Sequence, residues 1–463
     1  MSVVVGPGGL RPRLRRRELG LLVLVALALL VGWFSLELGR RLADGSAGPA
    51  TTGPAAAGPE RILVYLAALF VAHGSLSLSG RPSDEILLPT VGLLGGLGLL
   101  VMERLPQTMA GSLGGLAASQ LVWLLVALTA MTGLGVLVRS DAWLRLYKYT
   151  WASVGIGLLL LTFAVGIETN GARLTLQVGP FAGQPSEFLK IILVVFLAGY
   201  LAEYRPLLVA GVWRLGPLRL PPIPYLAPMV VLWALALAIV VVQRDLGTAL
   251  LYFLTFLGLL YVATARLGYV VGGALLFVAG AAVAARLFPH VAARIAVWLD
   301  PFADAQGAGY QVVQALYAFG RGGLLGTGLG AGLPSPEGRL PIPALHTDFP
   351  LAVIGEELGL VGVVAVLACY LVLIERGLRI AATAADDFRA LLAAGLALVV
   401  AVQAAVIAGG NLKVIPLTGI TLPFVSYGGS SLLANGVIAG LLLAISDRSI
   451  RLPTARRPGR GGR

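Results

Sequence analysis

A single cysteine, Cys369, serves 463 residues, and it sits in an apolar run. Disulfides within the chain are excluded, and so is any metal site built on several thiolates. Histidine is nearly as rare: His73, His290 and His346 lie too far apart to form a zinc motif. Charge is scarce as well. Asp, Glu, Lys and Arg make up 12% of the chain against 58% apolar residues, and mean hydropathy is +0.90. Soluble globular domains carry roughly 25% charged residues, so that class is excluded. What abounds is uncharged sequence in windows of about 20 residues, the length a helix needs to cross a hydrocarbon core of ~30 Å. Inside lipid each segment must satisfy its own backbone, and runs this long suit helices rather than barrel strands. The expected fold class is an all-α polytopic integral membrane protein.

Hydropathy places about twelve spans, near residues 19–39, 60–80, 86–105, 117–138, 148–167, 187–203, 223–243, 246–265, 267–288, 349–375, 389–410 and 429–446. The net charge of +12 would suit a nucleic-acid partner, but the arginines are placed otherwise. They gather in the first tail (Arg11, Arg13, Arg15, Arg16, Arg17), in the last tail after residue 447, and in short loops. That is the positive-inside pattern, and no nucleic-acid partner is expected. Residues 1–18 and 447–463 then read as basic cytoplasmic tails. Residues 19–83 read as two N-terminal spans with an Ala/Gly/Pro-rich external linker at 42–59, and 84–446 as the membrane core. The first apolar run, from Leu19 to about Gly39, is too long for a typical signal-peptide core and reads as an uncleaved helix. The other external segments are 168–186, 289–348 between the ninth and tenth spans, and 411–428.

These external segments are polar out of proportion to their place. From Trp298 to Asp348 the chain spends far more residues than a turn requires, and it ends on His346, Thr347 and Asp348 just before apolar sequence. Thr-Asp in that position is also a helix N-terminus signal. Gln184, Pro185, Ser186 and Glu187 open a span, and Lys190 shares a helical face with Glu187. That pair is either a structural ion pair or the polar wall of a cavity, since charges inside spans face one or the other. Arg244 and Asp245 form a short hairpin, where the guanidinium of Arg244 also suits an anionic ligand. Pro416, Gly419 and Pro423 exclude a regular helix over 411–428. Gly428 and Gly429 permit close backbone approach, and Ser426, Tyr427, Ser430 and Ser431 bring hydroxyls to the mouth of the last span. Glu356 and Glu357 are adjacent and cannot both face one cavity.

In chain order, NGA…QPSEFLK, QRDLGTA, WLDPFADAQGAGYQVVQAL, GLLGTGLGAG, HTDFPLAVIGEELGLVG and PLTGITLPFVSYGGSS resemble the SEDS family of peptidoglycan glycosyltransferases, the RodA/FtsW/SpoVE group. The resemblance covers roughly residues 84–446. It implies a ten-helix core, to which the two further N-terminal spans add as in longer, actinobacterial RodA-type members. It also implies a multi-pass protein of the bacterial cytoplasmic membrane with both termini cytoplasmic. The implied substrate is lipid II, polymerised to β-1,4 glycan at the outer face. Implied partners are a class B penicillin-binding protein, the elongation or division machinery and membrane lipid. Asp348 falls on the family's essential aspartate, and Glu187 with Lys190 on its cavity pair. Because lipid II carries a pyrophosphate leaving group, no second carboxyl is needed to protonate it, unlike in glycoside hydrolysis. One general base, Asp348, then suffices to accept the acceptor sugar's 4-hydroxyl proton. The cation facing the pyrophosphate would be Lys190, Arg244, Arg321 or Arg339, or a divalent ion (Mg or Mn) held with Asp348, and no other cofactor is implied. His346 would orient Asp348 or cap the helix. The chain departs from the family at Thr175 (commonly Trp), at Arg244 (commonly Pro), at Ala344 (commonly acidic) and at Pro350 (commonly a bulky aliphatic). Competing readings are a flippase for the same lipid, built around broken helices, and a non-catalytic scaffold for the transpeptidase.

Overall fold

The structure, a computed structural model, describes residues 14–46, 58–105, 115–138, 140–169, 172–178, 181–210, 213–215, 218–220, 223–332 and 342–447. Helices α1 (Arg16–Ser46) and α2 (Glu60–Leu78) form an N-terminal hairpin. They are followed by α3 (Leu87–Arg104), α4 (Leu116–Leu137), the single-turn α5 (Ala142–Leu146) and α6 (Lys148–Val165). A small antiparallel sheet of β1 (Ile167–Thr169), β2 (Ala172–Val178) and β3 (Phe181–Gly183) leads into α7 (Pro185–Ala210). The hairpin β4 (Trp213–Leu215) and β5 (Leu218–Leu220) precedes α8 (Ile223–Val242), α9 (Leu246–Thr264) and α10 (Leu267–Leu287). The long insert holds α11 (Pro289–Leu299), a 3-10 turn (Pro301–Asp304), α12 (Tyr310–Gly322) and the short α13 (Leu345–Asp348). Helices α14 (Pro350–Ala382), α15 (Asp387–Asn411) and α16 (Gly429–Ser446) complete the chain.

Among the described residues, eleven helices are long and apolar enough to cross a membrane. The uncharged 20-residue α8 stands where the remaining expected span falls. The chain is a multi-pass membrane protein. Helices α3, α7, α9, α15 and α16 are buried over about two thirds or more of their apolar windows and form the centre, whereas α10 has no buried residue. Small residues let the central helices close up, as membrane helix packing requires. A Cβ on Gly98 of α3 would lie 2.6 Å from the Val425 carbonyl, and one on Gly436 of α16 would lie 2.6 Å from that of Ala127.

The bundle has two chemically distinct ends. At one, ion pairs join the arginine-bearing connections: Arg389 to Asp141 (2.7 Å), Arg205 to Asp387 (3.2 Å), Arg376 to Asp84 (2.5 Å), and Lys148 to Glu203. At the other gather β1–β3, the long insert and residues 411–428.

The structure adds elements that hydropathy missed. The 168–186 segment is a sheet rather than a plain loop, and α7 continues through Pro206 to Ala210, beyond the expected end at 203. Within the insert, α12 buries Val312, Val313, Ala315 and Ala318 and packs along α14. Helix α14 is itself broken. Gly359 has φ 65° and ψ −164°, and the glycine loop after α12 enters the gap. The N–H groups of Thr327 and Gly328 donate to the carbonyls of Glu356 (2.9 Å) and Glu357 (3.0 Å). In return, Leu360 and Val361 donate to the carbonyls of Gly323 (2.9 Å) and Leu324 (3.2 Å). Backbone groups freed by the break are thus paired, as a spanning segment demands. Gly326 must be glycine here: its φ is 82°, and a Cβ would lie 2.1 Å from the Glu357 carbonyl.

Candidate active site

Asp348 is delivered by a single helical turn. Ala344 opens it with φ 54°, and its carbonyl accepts the N–H groups of Thr347 (3.1 Å) and Asp348 (2.9 Å). Pro350 then starts α14 at a position where a missing N–H is harmless. The turn is stitched to the segment between α15 and α16. Asn411 Nδ2 donates to the Asp348 carbonyl (2.8 Å), Ser426 Oγ to that of Thr347 (2.6 Å), and the Tyr427 N–H to that of His346 (2.8 Å). Ser426 Oγ also accepts the Leu422 N–H at 2.8 Å. The broken 411–428 segment therefore holds the aspartate's backbone in place, and Ser426 and Tyr427 act through it.

The Asp348 side chain lines a cavity of about 260 Å³ with Arg294, Trp298, Gln311, Lys413 and Gly419. Arg294 and Trp298 lie four residues apart on α11, on one helical face. Arg294 Nη1 donates to the Thr418 carbonyl (3.3 Å) and Trp298 Nε1 to that of Lys413 (3.2 Å). Burial pushes the Asp348 carboxyl above the ordinary carboxylate range, while a Thr347 hydrogen bond and the charge of Arg294 pull it partway back. Burial depresses His346, which is therefore neutral near pH 7. His346 packs its ring 5.6 Å from that of Tyr427 and does not line the cavity.

Glu187 and Lys190 do pair, at 2.6 Å, inside a wider network. Lys190 also donates to Gln403 (2.8 Å) and Asn435 (3.4 Å), Gln403 donates to the Thr421 carbonyl (2.8 Å), and Thr421 meets Ser431 at 2.6 Å. Beside this network the Gln184 N–H donates to Ser430 Oγ (2.9 Å), and the Ser186 carbonyl accepts from Tyr252 (2.7 Å). Gly428 precedes α16, and Gly429 faces Trp123 so closely that a Cβ would lie 2.3 Å from the ring. Asp245 caps α9 by accepting the Thr248 N–H (3.1 Å). Burial raises its carboxyl, and Glu187 and Arg294 both act on it, so it lies electrostatically between network and cavity.

The cations expected from sequence are not those the cavity holds. Lys190 is buried in the network. Arg321 is exposed and sits 3.7 Å from Glu356, and Glu357 turns away to Arg104. Arg244 is exposed and, second to burial, helps lower the pKa of His290, but it does not line the cavity. Arg339 lies outside the described residues. Arg294 and Lys413 take the place instead. The signal for Arg294 was its helical spacing to Trp298. Lys413 left only the hint of a basic residue where α15 ends. Among the described residues no three His, Cys, Asp or Glu side chains come together to hold a metal ion.

A family model for the FtsW/RodA/SpoVE cell cycle proteins matches residues 85–450. The chain belongs to this family. The peptidoglycan glycosyltransferase RodA of Mycobacterium leprae is 41% identical over 399 residues, 86% of this chain and 84% of that protein. Stage V sporulation protein E of Bacillus subtilis is 37% identical over 291 residues, 63% of this chain and 76% of its own. A chain of a peptidoglycan synthase complex that coordinates polymerization and crosslinking superposes with TM-score 0.65 at 28% identity, covering 80% of this chain and 99% of that one. The Rod shape determining protein RodA of Thermus thermophilus gives 0.56 at 28% identity, covering 80% and 98%.

The departures of this RodA/FtsW/SpoVE member now have a location. Thr175 lies on β2, paired with Ile167, and does not line the Asp348 cavity. Arg244 has φ 64°, which proline, fixed near −65°, cannot adopt, so a proline at this corner requires a different turn. Pro350 fits the start of α14, and Ala344 serves through its carbonyl rather than its side chain.

Proposed function

We propose that this peptidoglycan glycosyltransferase polymerises lipid II at the end of the bundle that holds Asp348, with Asp348 as general base. The observation that carries the reading is one cavity that, among the described residues, is lined by a single carboxylate and two cations, Arg294 and Lys413. The acceptor's 4-hydroxyl oxygen attacks the donor's anomeric carbon, and the bond from that carbon to the diphosphate oxygen breaks. The electron pair leaves with undecaprenyl pyrophosphate, the hydroxyl proton passes to Asp348 and then to water, and the α-linked donor becomes a β-1,4 glycan. Proton acceptance of this kind is typically worth about 10² to 10⁴-fold. Its raised pKa brings Asp348 closer to the proton it must accept, and a partly buried site strengthens every charge interaction. Arg294 and Lys413 face the charge that develops on the leaving diphosphate, the role in which preorganised cations are most effective. A Mg or Mn ion would be held by Asp348 together with phosphate oxygens and water, in keeping with how Mg²⁺ is usually bound, and would neutralise the same charge.

In this reading the cavity end faces outward from the bacterial cytoplasmic membrane and both termini stay cytoplasmic, as the positive-inside rule favours. A class B penicillin-binding protein cross-links the product, and the likeness to mycobacterial RodA proteins supports a role in elongation. The flippase reading is disfavoured because Arg389, Arg205 and Arg376 at the opposite end are held by Asp141, Asp387 and Asp84, and none of these six lines the cavity.

The test is polymerisation of purified lipid II by the full chain with a class B partner, beside Asp348→Asn. Glycan from the wild type and none from a folded variant supports the reading. Equal product from both removes Asp348 from the chemistry.

A further inference from the structure

The N-terminal hairpin lies before the residues that the family model matches, and the mechanism gives it no task. Its contacts nevertheless reach the glycine loop, α3 and Asp84, each of which holds α14, the helix that begins just after the candidate base. Along α1, a Cβ on Gly39 would lie 3.0 Å from the Leu329 carbonyl, and one on Gly330 would lie 3.0 Å from Leu36, so α1 closes directly over the glycine loop. From α2, Arg61 donates to both carboxylate oxygens of Glu103 at 2.9 Å each. The next residue, Arg104, forms a buried ion pair with Glu357 of α14, and that carboxylate also accepts the Gly330 N–H at 3.1 Å. At the far end Arg15 donates to the Asp84 carbonyl (2.6 Å), and the Asp84 carboxylate holds Arg376 on the second half of α14 (2.5 Å). Helix α14 is therefore gripped on both sides of its break at Gly359.

A helix interrupted there loses the hydrogen-bond continuity that would set the register of its first turns. Residues 350–358, with Asp348 at their head, take their position from side contacts instead. We propose that the N-terminal hairpin is a brace for the active site. It seats the glycine loop and, through Arg104 and Glu357 as positioning residues, fixes the first turns of α14 so that Asp348 faces Arg294 and Lys413. The link to turnover rests on Asp348 being the base, whereas the brace itself can be read without activity.

The experiment uses the full chain in nanodiscs, comparing wild type, Arg104→Met, Arg104→Lys and Gly39→Val. Hydrogen exchange is followed across 323–332 and 345–358, alongside kcat and KM for lipid II. Arg104→Met and Gly39→Val are expected to lose protection in those two segments only. Their kcat should fall about 10- to 100-fold, the scale of a misplaced catalytic group, with KM within about twofold. Arg104→Lys keeps the pair and should recover most of both signals. Unchanged protection in Gly39→Val overturns the brace, unchanged protection in Arg104→Met overturns its path through Glu357, and protection lost throughout the bundle overturns both. Local loss of protection with unchanged kcat overturns the link to turnover. A wild type without polymerase activity would refute the catalytic reading, while the exchange data would still decide the brace.

Discussion

Replacing Asp348 by Asn removes the one carboxylate that lines the cavity among the described residues, while keeping side-chain size. The structure sets the expected consequences on two axes. In turnover, no other carboxylate among the described residues lines the cavity to take over, so the full value of base assistance should be lost. That loss is about 10² to 10⁴-fold in kcat, or about 2.7 to 5.4 kcal/mol at 1.36 kcal/mol per decade. In stability, burial raises the Asp348 carboxyl, so the fold favours its protonated form. The group contributes stability below the unfolded-state value near 3.9, and that contribution is lost as pH rises through the raised folded value. At neutral pH the charged carboxylate is thus a mild liability, and the neutral amide should leave Tm unchanged or slightly higher. The wild-type rate should show an acid limb above the ordinary carboxylate range, and the residual rate of Asp348→Asn should lack it. The assay is initial-rate polymerisation of lipid II from pH 4 to 8 with Tm measured on the same preparations. An undiminished kcat, or an acid limb that survives in the variant, would refute the reasoning.

Other expectations follow from the same geometry. Arg294→Gln should cost about 10² to 10³-fold in kcat/KM, as for loss of one preorganised donor. Because Arg294 lowers the Asp348 pKa, that variant's acid limb should also move to higher pH. Arg321→Gln removes an exposed guanidinium that sits 3.7 Å from the buried Glu356 and does not line the cavity, so it should leave kinetics near wild type, and the two arginine variants together test which cations serve the site. Lys190→Met leaves Glu187 without its counterion and should lower stability by about 3–5 kcal/mol, read as Tm, with partial recovery in the double variant carrying Glu187→Gln. Gly326→Ala combines a left-handed backbone with a steric clash. It should destabilise the fold by at least about 1–2 kcal/mol, measured by thermal unfolding in detergent.

Hydropathy read the spans well because lipid imposes a length and a composition that no other constraint overrides. Even α14 was found, although its break was not, because Gly359 looks like any other small residue until the glycine loop is seen docking there. The β1–β3 sheet was legible but passed over: Ala-Arg-Leu-Thr-Leu-Gln-Val alternates with period two between Asn-Gly and Gly-Pro turn signals. At the site, motif order led to Asp348 and to Glu187 with Lys190; the structure sets Asp348 on the cavity and ties Glu187 and Lys190 to Thr421 and Gln403 in a separate network. That Lys190, Arg244 and Arg321 do not line the cavity has a physical reason. Arg294 reaches the cavity only because α11 folds over residues 411–428, a long-range packing that residue type does not announce. Arg321, closer to Asp348 in sequence, is drawn off by Glu356.

A glycine-rich stretch outside a helix is ordinarily where a chain tolerates insertion, tagging or drift in length. Residues 323–328 should not behave that way. They supply hydrogen-bond partners to a spanning helix and so belong, in function, to that helix while lying elsewhere in the chain. One residue added between Leu324 and Thr327 would put the two acceptors out of register with the two donors and leave backbone polar groups at the break of α14 unpaired. The damage would surface as failed membrane insertion and quality-control turnover, well before any effect on catalysis could be measured.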